Sequence, residues 1–194
     1  METLKINFDR LLDPLSTGQI EFKIAQVTKT DNAVWASILA YKDARVDMQV
    51  LDTVVGQNNW QVKYQRDSKG VLQCSVGIWD ETKNMDSGDW IWKTSNGVPS
   101  DFEGEKGEYS DAFKRACFMW GIGRQLYDFP SIWVQLSEGD YYEKDGKVKA
   151  SPRLRPNDWR WTVSEDYQEV KAERKFGNTW KTVFNNNPYK KKDE

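Results

Sequence analysis

The chain has 194 residues, with 28 Lys and Arg against 30 Asp and Glu, a net charge of −2 and an isoelectric point near 5.4. That length suits one core domain of about 130 to 150 residues plus a tail. The charge balance excludes a generally basic nucleic-acid binder, because phosphate binding rests on cations that displace counterions, and leaves room only for a local basic groove. With no His, and only Cys74 and Cys117 as thiols, the chain lacks the usual zinc donors and the histidine of a nucleophilic triad. Ten Trp, eight Tyr and eight Phe supply large core area, and a minority on a basic surface would serve as platforms for nucleobases. No apolar run reaches membrane-spanning length and no leader pattern opens the chain, so a soluble cytoplasmic protein without a membrane partner is expected.

In chain order, Leu4, Phe8, Leu11 and Leu12 have helical spacing and predict a short docking helix within an N-terminal segment, residues 1–19. Residues 20–27 alternate, with Ile20, Phe22 and Ile24 on one face, and residues 33–41 predict a second strand after the turn at 30–32. Residues 43–55 predict a helix whose apolar side is Val46, Val50, Leu51, Val54 and Val55 and which stops at Gly56; Arg45 near its start opposes the helix dipole. Strands follow at 60–65, 71–79 and 90–94, the last carrying Trp90, Trp92 and Lys93 in a hairpin that packs on the core or touches a ligand with its tip. A glycine-rich loop at 96–107 lacks the Gly-Lys-Ser/Thr of a phosphate cradle, so neither ATP nor any other cofactor is expected.

Residues 110–120 predict the helix that organises the rest. Phe113, Ala116, Cys117 and Trp120 fall at i, i+3, i+4 and i+7, which buries one side and turns Lys114 and Arg115 outward. Asp111 is read as a first-turn acid paired with Arg115 at i+4, and Gly121 and Gly123 as the stop. Residues 126–136 wrap the core irregularly or as a short helix. From 137 to 194 the chain reads as a polar tail containing Trp159, Trp161 and Trp180 and ending in Lys190, Lys191 and Lys192.

The run Ser-Asp-Ala-Phe-Lys-Arg-Ala followed by Trp-Gly-Ile-Gly-Arg-Gln-Leu-Tyr, residues 110–127, resembles the signature helix of the Rad52/22 single-strand annealing proteins, particularly their phage and bacterial branch. Residues 41–60, a helix running into Gly-Gln-Asn-Asn-Trp, resemble that family's helix and Gly-x-Asn-x-Trp corner. The resemblance implies an α+β fold, a curved antiparallel sheet with two main helices in a β-β-β-α annealing core over residues 20–136, assembled as a homo-oligomeric ring or arc. It implies ATP-independent pairing of complementary single DNA strands in recombination and repair, in a bacterial or phage-infected cell, without enzymatic chemistry. A single-strand-binding protein and other recombination proteins are further candidate partners.

The resemblance carries the family's Lys-Arg pair onto Lys114 and Arg115, and a DNA-contacting arginine of eukaryotic members onto Arg45. A further arginine of those members is replaced here by Phe118, which offers a stacking contact in place of an ionic one. A groove needs more cations, and Lys63, Lys93, Lys106 and Arg124 complete the candidate set, with Phe118 and Trp92 as base-stacking residues. Three rivals stay open: a module that coats single-stranded DNA or binds its ends without pairing it, a metal-dependent nuclease built on Asp101, Glu103, Glu105, Glu108 and Asp111, and a structural or interaction protein on the same fold, which the acidic isoelectric point favours.

Overall fold

The computed structural model describes residues 6–85, 87–98 and 104–187, with only the backbone described at 104–106. Its strands and helices, in order, are β1 (Glu21–Lys29), β2 (Val34–Tyr41), α1 (Ala44–Val54), β3 (Trp60–Arg66), β4 (Leu72–Asp80), β5 (Asp89–Asn96), α2 (Gly104–Trp120), β6 (Ile132–Leu136), β7 (Tyr141–Lys144), β8 (Lys147–Ala150), β9 (Arg160–Val163), β10 (Val170–Phe176) and β11 (Thr179–Asn185). The fold is α+β and its strand pairs are antiparallel. The chain divides into two compact units, one of residues 1–13 and 42–124, the other of 14–41 and 125–194.

The first unit is a β3-β4-β5 meander followed by α2, with α1 against that helix. Leu72, Cys74, Val76 and Ile78 alternate along β4 and are all buried, which gives the central strand one fully covered face. α2 covers it with Ala112, Phe113, Ala116, Cys117 and Trp120, the stripe expected from the spacing, and the Trp120 indole donates to the Val76 carbonyl at 3.0 Å. Leu51 and Val55 of the α1 turn and Leu11 of the N-terminal segment close the core. Gly97 ends β5 where the helix crosses; a Cβ there would lie 2.5 Å from the Glu108 carbonyl, so only glycine permits this approach.

The second unit holds the sheets β1-β2-β6 and β9-β10-β11 and the hairpin β7-β8. Its core collects Phe22, Val34, Ala36, Ile38, Ile132, Val134, Trp159, Val170 and Ala172. Phe22 stacks on Trp161 at 3.7 Å between centroids, and the buried Tyr167 hydroxyl donates to the Leu15 carbonyl at 2.7 Å. Asp140 receives both guanidinium nitrogens of Arg174 at 2.6 and 2.7 Å, tying the start of the β7 hairpin to β10.

Several elements differ from the sequence expectation. The N-terminal helix is a single 3-10 turn, Phe8–Leu12, capped by Asn7 and burying only Leu11; residues 1–5, including Leu4, lie outside the described residues. α2 begins at Gly104, so residues 104–107 at the end of the expected glycine-rich loop are helical and Asp111 sits well inside the helix instead of in its first turn. Alternation in β1 breaks at a bulge between Ile24 and Gln26. The segment 126–136 resolves into the end of a 3-10 turn, Arg124–Asp128, and strand β6. Residues 141–185 form five strands, whose short alternating patterns (Val170, Ala172; Val163) are the period-2 signal diluted by Lys, Arg and Glu.

Candidate nucleic-acid interface

Asp43 precedes α1 in extended backbone, the N-cap conformation, and its Oδ1 accepts from the Arg45 amide at 2.8 Å. The same oxygen accepts from Arg45 Nε at 2.8 Å. A cation at a helix start is disfavoured by the dipole, and the capping carboxylate is what makes Arg45 tolerable there. Hydrogen bonds from Arg45 hold the Asp43 carboxyl below the ordinary aspartate range, and the charge of Lys114 lowers it further. The Arg45 side chain is 86% exposed and is anchored to Asp43 through Nε.

One turn into α1 the chain buries an ion pair. Lys42 Nζ meets Asp47 Oδ1, with the two side chains 5% and 0% exposed, and Asp47 Oδ2 has no hydrogen-bond partner. Burial raises the Asp47 carboxyl from 3.8 to about 6, against the opposing pull of Lys42 and Lys114. The Cys117 thiol faces the same carboxyl and is pushed well above the ordinary thiol range, chiefly by burial and then by the Asp47 charge. The Lys114 charge thus lowers both carboxyls at the head of α1, Asp43 and Asp47, and Lys114 makes no ion pair of its own among the described residues.

Arg115, the next residue, is exposed and donates from Nε to Asp111 Oδ2 at 2.7 Å, the i,i+4 pair read from the sequence. Asp111 also accepts from the Val98 amide at 3.0 Å, so it links α2 to the end of β5. Phe118, one turn past Lys114, is half-buried with the Arg124 guanidinium 5.8 Å from its ring centre. Arg124 in turn donates to the Phe118 and Met119 carbonyls at 3.0 and 2.8 Å, and Lys93 Nζ reaches the same Met119 carbonyl at 2.9 Å across the Trp120 ring. These two cations cap the C-terminus of α2, where the dipole favours positive charge. Burial, and then the charge of Arg124, lower the Lys93 ammonium below the ordinary lysine range.

Lys63 and Trp92 occupy the sheet face turned away from α2. Lys63 is registered with Ser75, and Trp92 with Gly77, both out of phase with the buried Cys74, Val76 and Ile78. The Trp92 ring lies on Gly77, where a Cβ would fall 2.8 Å from it, and the Lys63 ammonium sits 3.9 Å above the same ring. A base stacking on Trp92 must displace Lys63. Lys106 belongs to the first turn of α2 by its backbone, and its side chain lies outside the described residues.

The structure sets Arg45 and Lys114 where both act on the Asp43 carboxyl, leaves Arg115 on the exposed side of α2 with Asp111, gathers Lys93, Arg124 and Phe118 at the end of α2, and sets Lys63 and Trp92 on the opposite sheet face. Of the acidic group, Asp101 and Glu103 lie outside the described residues and only the backbone of Glu105 is described. Glu108 is held by Arg66 at 2.8 Å and Asp111 by Arg115, and no three His, Cys, Asp or Glu among the described residues gather as metal donors. The sequence reading missed Lys42, Asp43 and Asp47 as the frame of the site. A signal existed: Asp47 interrupts the apolar stripe of α1 one turn before Leu51, and an acid in a buried stripe demands a partner.

A family model described as the Rad52/22 family double-strand break repair protein matches residues 7–145, well over half of the chain. No curated protein matches it. Among the described residues no helix is long and apolar enough to cross a membrane.

Proposed function

Because the chain belongs to the Rad52/22 double-strand break repair family, we propose that it pairs complementary single DNA strands without ATP, holding them against the α1–α2 side of a homo-oligomer. The observation that carries this reading is the convergence of Arg45 and Lys114 from two helices around one capping carboxylate, Asp43, with Arg115 adjacent. Strand pairing needs no bond-making group. It needs phosphate repulsion reduced and bases left free, which cations aligned on a rigid helix provide without reading sequence.

Three cations per subunit make a weak site, and self-association multiplies them through effective concentration into a track that one copy cannot offer. This reconciles a net charge of −2 with polyanion binding. The protein is not an enzyme on this reading, takes no cofactor, and works in the cytoplasm of a bacterial or phage-infected cell beside other recombination proteins. Replacing Lys114 and Arg115 by Ala slows annealing of fluorophore-labelled oligonucleotides while the thermal melt and the oligomer mass stay as in the wild type. Wild-type annealing in that variant at matched salt would remove the site.

A further inference from the structure

The β7–β8 hairpin closes through Asp145 and Gly146, both at positive φ (55° and 70°), and the family match ends inside that turn. Its register pairs Tyr142 with Lys149 and Lys144 with Lys147. Side chains two apart on a strand share a face, so these four project from one face, and Tyr141, Glu143, Val148 and Ala150 from the other. The second face is the packed one. β8 lies beside β1, Val148 is half-buried, and the Glu143 carboxylate accepts from Lys29 Nζ of β1 at 2.5 Å. At the open end of the ribbon the Ser151 amide donates to the Asp140 carbonyl at 2.7 Å, and the Arg174 guanidinium holds the Asp140 carboxylate. The hairpin is therefore a fixed platform.

The face turned away from β1 is exposed at all four positions and bears three lysines and no acid. Lys144, Lys147 and Lys149 make no ion pair among the described residues. Tyr142 is 41% exposed, and among the described residues no cation or second ring stacks on it. Lys144 and Lys147 stand directly opposite each other, where Cβ atoms lie about 5 Å apart and like charges destabilise the pair. Lysines along a strand edge guard it against pairing with other chains, but that accounts for neither a like-charged pair across the ribbon nor an open ring beside Lys149. An anion lying on this face relieves the repulsion. Lys147 and Lys149 are about 7 Å apart along β8, so the three ammonium groups and the ring fit within a few nucleotides of a strand. Charge alone would suit any polyanion; the open ring suits one with flat, unpaired bases.

We infer that the outward face of the β7–β8 hairpin is a second contact surface for single-stranded nucleic acid, on which Lys144, Lys147 and Lys149 meet phosphates and Tyr142 stacks on a base. It rests on the reading of the chain as a single-strand binder, but on different residues from the α1–α2 site.

The test measures affinity of the full chain for fluorescein-labelled oligo(dT) across a series of salt concentrations. Lys144→Ala/Lys147→Ala/Lys149→Ala is expected to lower the slope of log affinity against log salt by about 2, at roughly 0.7 per lost contact to a single strand. The three Lys→Arg replacements together are expected to keep the wild-type slope. Tyr142→Leu is expected to weaken binding at least about fivefold with the slope unchanged, and Tyr142→Phe, which keeps the ring, to bind as the wild type. All four side chains are exposed, and thermal melts verify that the variants fold. An unchanged slope in the triple Ala variant, while Lys114→Ala/Arg115→Ala lowers it, overturns the hairpin surface and leaves the α1–α2 site standing. No salt-dependent binding by the wild type overturns both. Binding of poly-glutamate as tight as that of oligo(dT), lost in the triple Ala variant, overturns the nucleic-acid assignment in favour of acidic peptides.

Discussion

The Lys42–Asp47 pair gives a stability prediction of opposite sign for one substitution and for two. Both side chains are within 5% of full burial, and Asp47 Oδ2 is left without a donor. Desolvation of two charges at such a site exceeds their attraction, as the rise of the Asp47 carboxyl from 3.8 to about 6 indicates. That rise of about two units corresponds to roughly 3 kcal/mol of cost for the ionised carboxylate. Asp47→Leu alone strands a buried ammonium and is expected to destabilise by about 3–5 kcal/mol, whereas Lys42→Met/Asp47→Leu is expected to match the wild type or exceed it by about 1–4 kcal/mol.

The sign with pH follows from the raised value. The folded state binds the extra proton between pH 3.8 and about 6, so the cost is absent below that window and complete above it. The advantage of the double variant over the wild type is therefore largest at pH 7 and shrinks as pH falls from 6 toward 4. Urea unfolding followed by tryptophan fluorescence at pH 5 and pH 7 measures both effects. A double variant as unstable as Asp47→Leu would refute the reasoning, since the pair would then be contributing net stability.

Asp43→Ala removes the α1 cap and is expected to cost about 0.5–2 kcal/mol. Because the Asp43 carboxyl is lowered in the fold, its contribution is present above pH 3.8 and disappears as pH falls below it, so thermal melts of variant and wild type should converge in acid. Gly77→Ala puts a Cβ 2.8 Å from the Trp92 ring and is expected to destabilise by about 1–3 kcal/mol in denaturant unfolding. Most of that loss should be recovered in Gly77→Ala/Trp92→Ala if the ring is the cause.

The α2 stripe was legible because Phe113, Ala116, Cys117 and Trp120 share one side of a helix, and that periodicity is a local property of the chain. The five middle strands and helices fell where alternation and glycine stops put them. The start of α2 did not, because Gly104 and Gly107 are weak helix formers and only packing against β4 and β5 explains a helix that begins there. The strands after residue 137 were hidden for a different reason: β7 and β8 are four residues each and rich in Lys and Glu, so alternation barely registers, although they pair locally as a hairpin across Asp145-Gly146, a turn signal that the sequence reading passed over.

In the site, the sequence named the cations but could not sort them by face. Lys63 and Lys93 sit on the two strands that flank β4, in similar surroundings of sequence, yet one stands on Trp92 above the open sheet and the other on Trp120 beneath the end of α2. Strand register decides this, and register is a tertiary quantity. The same holds for Arg124, whose donors are taken by the Phe118 and Met119 carbonyls, and for Lys42, which no local pattern marks as buried.

The most direct test mixes two complementary oligonucleotides, each pre-bound by the wild-type protein, in buffer with magnesium and without ATP, and follows duplex formation by energy transfer between end labels. The account predicts pairing faster than that of the free strands, with both strands intact at the end. Pairing no faster than in protein-free buffer, or strands shortened on a denaturing gel, would contradict it.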